Sequence, residues 1–265
     1  MLLQPSQTKS CYIGPVISPE EFIQEHFFLY IGKGIMHGYD GHKHYSLHEG
    51  EYCLVRKNHL ARYNKERVNN AFEKVVVIFD EPFLKKFASQ YKPTVKKFTS
   101  SSAFVLLHQH KKIAAFISSL IPYYDGFGKI KKQFADSKRE ELLLLLLKTS
   151  PALAGVLFDF AVPHKIDIEA FMNRNFRFNV AIQRFAYLTG RSISAFKRDF
   201  ATTFHETPGR WLMQKRLREA YFLIDKKGKK PSDVYLEVGF EDLSHFSFAF
   251  KKQFGFAPTQ LQHAG

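Results

Sequence analysis

Arg191-Ser192-Ile193-Ser194-Ala195-Phe196-Lys197-Arg198-Asp199-Phe200-Ala201-Thr202-Thr203-Phe204-His205-Glu206-Thr207-Pro208 returns, in outline, as Glu241-Asp242-Leu243-Ser244-His245-Phe246-Ser247-Phe248-Ala249-Phe250-Lys251-Lys252-Gln253-Phe254-Gly255-Phe256-Ala257-Pro258. An offset of 50 lays Ser194, Phe196, Phe200, Phe204 and Pro208 on Ser244, Phe246, Phe250, Phe254 and Pro258. Aromatics four residues apart share one face of a helical period. A proline four residues beyond the last of them marks where that helix cannot continue. Before each copy lies a shorter apolar segment, Val180 to Leu188 and Val234 to Val238, closed by Gly190 and Gly239. Glycine supplies the left-handed backbone of a sharp helix–helix turn, and Ser192 and Asp242 then stand where helix N-caps belong. The repeat predicts two helix-turn-helix modules in tandem over 179–261.

Between the modules, Trp211 to about Lys226 reads as one long helix. Leu212, Leu217, Ala220, Tyr221 and Ile224 form its buried stripe, and Arg210, Lys215, Arg216 and Arg218 supply charge. At ~24 Å such a helix is long enough to help set two recognition helices about one DNA turn, ~34 Å, apart. Gly228 ends it within the basic run Lys226 to Lys230, a phosphate-contact candidate or simply a solubilising loop.

A major groove admits one helix, whose N-terminal half meets base edges. In the first module Ser192 opens that helix, and Ser194, Lys197 and Arg198 share the face opposite Phe196 and Phe200. Arg198 can fork onto guanine, Lys197 can reach guanine or phosphate, and Ser194 can bond several base edges. The matching residues of the second module are Leu243, Ser244, Ser247 and Phe248, which offer thymine-methyl contacts and weak hydrogen bonds but no guanidinium. Arg210 and Lys230 complete the DNA-contact set. The bland alternative makes Lys197 and Arg198 a solvated helix face.

The segment Val238 to Pro258 closely resembles the signature of the AraC/XylS family of bacterial transcription regulators: a Gly-Phe, a Ser, Phe-Ser-Arg, Phe-Lys-Lys, Phe-Gly and a Pro. The resemblance covers roughly the last 100 residues. Phe248 departs from it, standing where the family usually has Arg; the first copy keeps Arg198. The resemblance implies double-stranded DNA as partner, base reading at the positions named above, and RNA polymerase as a further partner if the chain activates. It also implies an N-terminal cupin-like barrel and a homodimer formed through helices that follow it. Tyr45 to Tyr63 looks like the N-terminal domain of members that control type III secretion. Those bind a protein antagonist, so a small-molecule effector and a protein antagonist both stand as expectations.

Composition agrees with a two-domain regulator. The 265 residues are 45% hydrophobic with a net charge of +14 and a pI near 9.6, which suits a polyanionic partner. Residues 1–164 hold 22 Lys and Arg against 15 Asp and Glu, and residues 165–265 hold 17 against 10, so the shorter part is the more densely basic. Cys11 and Cys53 are too few for a disulfide scaffold. Met1 to Ser10 lacks the order of a signal peptide, and the longest aliphatic run, Leu142 to Leu147, is too short to span a bilayer. A cytoplasmic protein with no membrane segment is expected.

From Tyr12 to Phe79 the apolar pattern has period two. Phe27 to Ile31, ended by Gly32-Lys33-Gly34, then His37 to Leu47, Glu51 to Val55 and Lys74 to Phe79 read as short strands of a small barrel or sandwich. Beyond Pro82 the period becomes helical: one helix through Phe83, Leu84 and Phe87, a second from Phe104 to Leu120, and a third from near Ser137 into the six leucines. Leucine on every side predicts a helix buried against the core and something else, a partner subunit or a neighbouring helix. The expected architecture is multi-domain α+β. It has a cupin-like barrel with appended helices over 1–150, a linker over 151–165 bracketed by Pro151 and Pro163, and an all-α domain over 166–265.

A competing reading is a metal-dependent cupin enzyme with a nucleic-acid-binding tail. His42, His44 and His48 alternate as on one strand face, with Glu49 adjacent. Metal ligation needs converging donors, and neither His37 nor His59 can be placed beside them from sequence; a polar outer face explains them as well. Cys11 and Cys53 have no readable base partner, and no catalytic constellation or cofactor motif appears, so no enzyme activity is expected.

Overall fold

Phe27 to Ile31 are consecutive apolar residues because their strand is buried on both faces. The computed structural model describes residues 11–13, 21–96, 98–123, 130 and 132–262. The segment Met1 to Ser10, read above for a signal peptide, lies outside them. The chain divides into two compact units, Met1–Pro19 with Ile23–Ala161, and Glu20–Phe22 with Val162–Gly265.

The N-terminal unit is β-rich. The strands, all but Phe22 of β2 within this unit, are β1 (Cys11–Ile13), β2 (Phe22–Ile23), β3 (His26–Lys33), β4 (Ile35–Tyr39), β5 (His44–Leu47), β6 (Tyr52–Val55), β7 (His59–Leu60), β8 (Arg62–Glu66), β9 (Glu73–Phe79) and β10 (Phe104–Leu106). Five form a sheet in the order β1-β9-β3-β6-β10, with β1 parallel to β9 and the other pairs antiparallel. Three more form an antiparallel sheet, β5-β4-β8. Phe27, Leu29, Ile31, Val76 and Ile78 of the larger sheet share a core with Met36 and Leu47 of the smaller one. Phe28, Leu54, Val75, Val77 and Phe79 point the other way, into a core covered by helices. Among the described residues no ladder joins the two sheets, so they do not close into the barrel expected from the sequence.

The covering helices are α1 (Glu81–Tyr91), α2 (Lys111–Ser119), α3 (Lys132–Thr149) and α4 (Ala154–Leu157). Two strand and helix expectations change here. Phe104 does not begin a helix: Phe104, Val105 and Leu106 pair with Val55, Leu54 and Cys53, and the helix opens only after His110, whose ring accepts from the Lys112 N–H. His37 to Leu47 is two strands, because the Asp40 carboxylate accepts the N–H groups of His42 and Lys43 and turns the chain. Within the leucine run of α3, Leu142, Leu143 and Leu146 are buried, Leu145 and Leu147 lie partly buried against the same core, and Leu144 is exposed. The core of this unit accounts for most of the run. Leu153 to Phe158 also packs into that core, except for the half-buried Gly155.

The second unit is helical: α5 (Ile168–Asn175), α6 (Ile182–Leu188), α7 (Ile193–Phe204), α8 (Pro208–Asp225), α9 (Pro231–Glu237), α10 (Leu243–Phe254) and α11 (Pro258–Gln262). Pro208 and Pro258 do more than stop the preceding helices, for each begins a new one, where its missing N–H costs nothing. The 18 residues of α8 make it ~27 Å long. Leu217, Ala220, Leu223 and Ile224 on α8 pack with Val234, Phe246 and Phe250 of the second module. Trp211, near its start, meets Phe200 and Phe204 of the first. Among the described residues no helix is long and apolar enough to cross a membrane.

Candidate nucleic-acid interface

Both modules turn their chain the same way. Gly190 and Gly239 have φ of +66° and +95°. The N–H after each glycine reaches five residues back: Arg191 to the Ala186 carbonyl at 3.0 Å, and Phe240 to the Tyr235 carbonyl at 2.9 Å. This is the bond that lets a left-handed residue satisfy helix-terminal carbonyls. The next helix is then capped by a side chain. Ser192 Oγ accepts from the Ala195 N–H at 3.2 Å, and Asp242 Oδ1 accepts from the His245 N–H at 2.6 Å. Each cap stabilises its helix by about 1 kcal/mol.

The helices so opened, α7 and α10, are 12 residues long and rooted by fully buried pairs, Phe196 with Phe200 and Phe246 with Phe250. Burying one such ring contributes about 1.5–3 kcal/mol. The opposite face is open to solvent. Ser194, Lys197 and Arg198 are all exposed on α7; the Arg198 side chain is 77% exposed, with a loose contact to Asp199 at 3.6 Å. On α10, Leu243, Ser244 and Phe248 are exposed and Ser247 is half-buried. Arg210 is an exposed side chain in the first turn of α8, 3.8 Å from Glu206, and Lys230 is exposed at the residue that precedes α9. Lys251 and Lys252, which the sequence reading leaves out, are exposed in the last turn of α10. The four-residue spacing from Ser244 through Phe248 to Lys252 is the signal that would have found the second of them.

Two arginines hold these modules rather than facing outward. Arg191 donates to Asp199 Oδ2 at 3.0 Å and to the carbonyls of Ile166 and Thr189, tying the turn to α7. Its guanidinium keeps the Asp199 carboxyl below the ordinary carboxylate range. Arg216, one of the residues that supply charge to the long helix, donates to the carbonyls of Phe176 at 2.8 Å, Gly239 at 3.0 Å and Phe178 at 2.7 Å. Those carbonyls belong to loops that no helix ladder satisfies, so the charge is drawn inward.

The histidines do not form the strand-face set that a metal site would use. Strand β5 begins at His44, leaving His42 in the Asp40 turn and His48 beyond the strand; all three are exposed. His44 stacks on Tyr39 with ring centroids 4.7 Å apart. Among the described residues no group of three or more His, Cys, Asp or Glu side chains could hold a metal ion.

A family model described as a helix-turn-helix domain matches residues 185–264, and one described as the ExsA N-terminal regulatory domain matches residues 26–156. The chain belongs to the AraC/XylS family. This AraC-family chain is 23% identical to the thermoregulatory protein LcrF of Yersinia pestis over 95% of its own length and 93% of that protein's. It is 30% identical to the virulence regulon transcriptional activator VirF of Yersinia enterocolitica over 46% of each chain. It is also 26% identical to the HTH-type transcriptional regulator ExsA of Pseudomonas aeruginosa, over 46% of this chain and 45% of that one. Among solved structures, ToxT from Vibrio cholerae aligns over 92% of each chain at 14% identity, with a TM-score of 0.41. The AraC-family chain is a DNA-binding transcription regulator with an N-terminal regulatory domain, and not an enzyme.

Proposed function

We propose that this regulator is an activator that reads an asymmetric duplex site with α7 and α10 together. One observation carries the proposal: two helices of equal length, each capped and each rooted by two buried phenylalanines, present different side chains at matching positions. Arg198 forks onto guanine, Lys197 and Ser194 bond neighbouring edges or phosphate, and Ser192 caps the helix that carries them. In the second module Leu243, Ser244, Ser247 and Phe248 meet the groove without a cation. The first module therefore supplies most of the polar discrimination. Arg210 and Lys230 contact phosphates and position the protein.

The N-terminal unit, with its two sheets sharing one core in a cupin-like manner, receives the signal. That signal is a small-molecule effector or a protein antagonist. In this account the protein acts in the cytoplasm as a homodimer and recruits RNA polymerase. The boundary between its regulatory and DNA-binding parts falls within 151–165.

The test is a titration of the full chain against a duplex selected from a randomised pool and against a scrambled one. Preference for the selected duplex by a factor of about 10³ or more at physiological salt supports the proposal. Equal affinity for both sinks it.

A further inference from the structure

Phe248 is 70% exposed, more than any other Phe, Tyr or Trp among the described residues. The core of α10 does not need it, because Phe246 and Phe250 are fully buried and Phe254 packs beside them. Its place on the helix is instead outward, one turn beyond exposed Ser244 and one turn before exposed Lys252. Lys251 and Lys252, three and four residues further on, put positive charge in the last turn of the same helix. A polyanion suits that surroundings better than an apolar protein groove does.

A phenyl ring can neither donate nor accept a hydrogen bond at a base edge. The one apolar feature displayed in the major groove is the C5-methyl group of thymine. We infer that Phe248 is a specificity-determining residue that reads thymine by its methyl group. The second module then discriminates bases through this ring. The DNA site carries a methyl-dependent half beside a guanine-dependent one. This rests on the duplex-reading proposal above and names the chemistry of its second half.

Loss of one contacted methyl weakens binding about fourfold, the equivalent of one buried methylene. The experiment uses the full chain and a duplex selected from a randomised pool, with thymines replaced by deoxyuridine in one half-site at a time. The expected result is about a fourfold loss for each contacted thymine in the second half-site and none in the first. Phe248→Ala, whose side chain lies outside the core, should lose about one fourfold step of that difference, and Phe248→Leu should keep part of it. Wild-type protein that binds both duplexes equally overturns the inference, as does Phe248→Ala that distinguishes them as strongly as wild type. In either case a selected duplex still bound tightly leaves the duplex-reading proposal standing. A pool that enriches no sequence overturns both.

Discussion

Arg198 and Phe248 occupy the same place, the sixth residue of α7 and of α10, and both point into solvent. In the proposed interface a guanidinium with a planar fork of donors and a ring with none are what the two modules bring to the base edges. The two heads are alike in backbone and unlike in chemistry.

Arg198→Ala should cost about 1–3 kcal/mol on the selected duplex and relax base preference at one position. Fluorescence anisotropy against single-base variants measures both. Equal losses on selected and random DNA would contradict a base-reading role.

Lys230→Ala should weaken all duplexes alike and lower the slope of log K against log salt by about 1. The helix start survives the change, because Lys230 contributes its backbone carbonyl, which accepts the Asp233 and Val234 N–H groups. A sequence-dependent effect would tell against the phosphate contact.

Gly190→Ala and Gly209→Ala should move stability in opposite directions. A Cβ on Gly190 would lie 2.3 Å from a backbone atom of His164 at a φ of +66°, whereas at Gly209 it meets nothing within 4 Å. The first should cost more than about 1 kcal/mol, and the second should add roughly 0.5–1 kcal/mol by favouring the first turn of α8. Trp211, the single tryptophan, reports both in urea titrations.

Arg216→Ala should destabilise the C-terminal unit far more than Arg218→Ala. Arg216 serves three carbonyls, while Arg218 is exposed with one contact, to Gln214. Leaving buried carbonyls without a donor costs about 1–3 kcal/mol each, against changes within about 0.5 kcal/mol for a surface site. Equal midpoints for the two variants would refute the inward role of Arg216.

The charge pattern around α8 shows where reading by sequence stops. Gly190, Ser192 and the phenylalanine series announce their roles through neighbours a few residues away, so both modules are legible directly. Arg216 looks like Arg218 along the chain; only the approach of Phe176 and Gly239, brought in by other helices, separates them. Phe104 is a similar case. With Leu107 it fits helical spacing, and its strand exists because Val55 lies beside it. The exposure of Phe248 is legible as a break in the repeat, but its freedom from the core is not. The pairing of the two sheets across one core likewise depends on contacts between distant residues.

Acid should loosen the N-terminal unit through His26. Its ring is buried, accepts the Lys57 N–H at 3.2 Å, and is held neutral, with its pKa pushed down to about 3, by burial first and then by Lys57, Arg56 and His59. An unfolded histidine takes up its proton near 6.5. The unfolded chain thus binds more protons between these values, and stability is complete above the upper one and falls as pH drops toward the lower. The slope from this group is at most one proton, about 1.4 kcal/mol per pH unit. Calorimetry from pH 7.5 to 4.5 should show it for the transition that leaves Trp211 emission unchanged, and His26→Gln should flatten it.

The central claim, that one chain presses two unlike helices into successive major grooves, is tested most directly by missing-base interference on the isolated complex of one chain with its selected duplex. The account predicts two clusters of required bases on one face, their centres about 10 base pairs apart, with guanine in the first and thymine in the second. A single cluster, or a second cluster that appears only when another chain is bound, would contradict it.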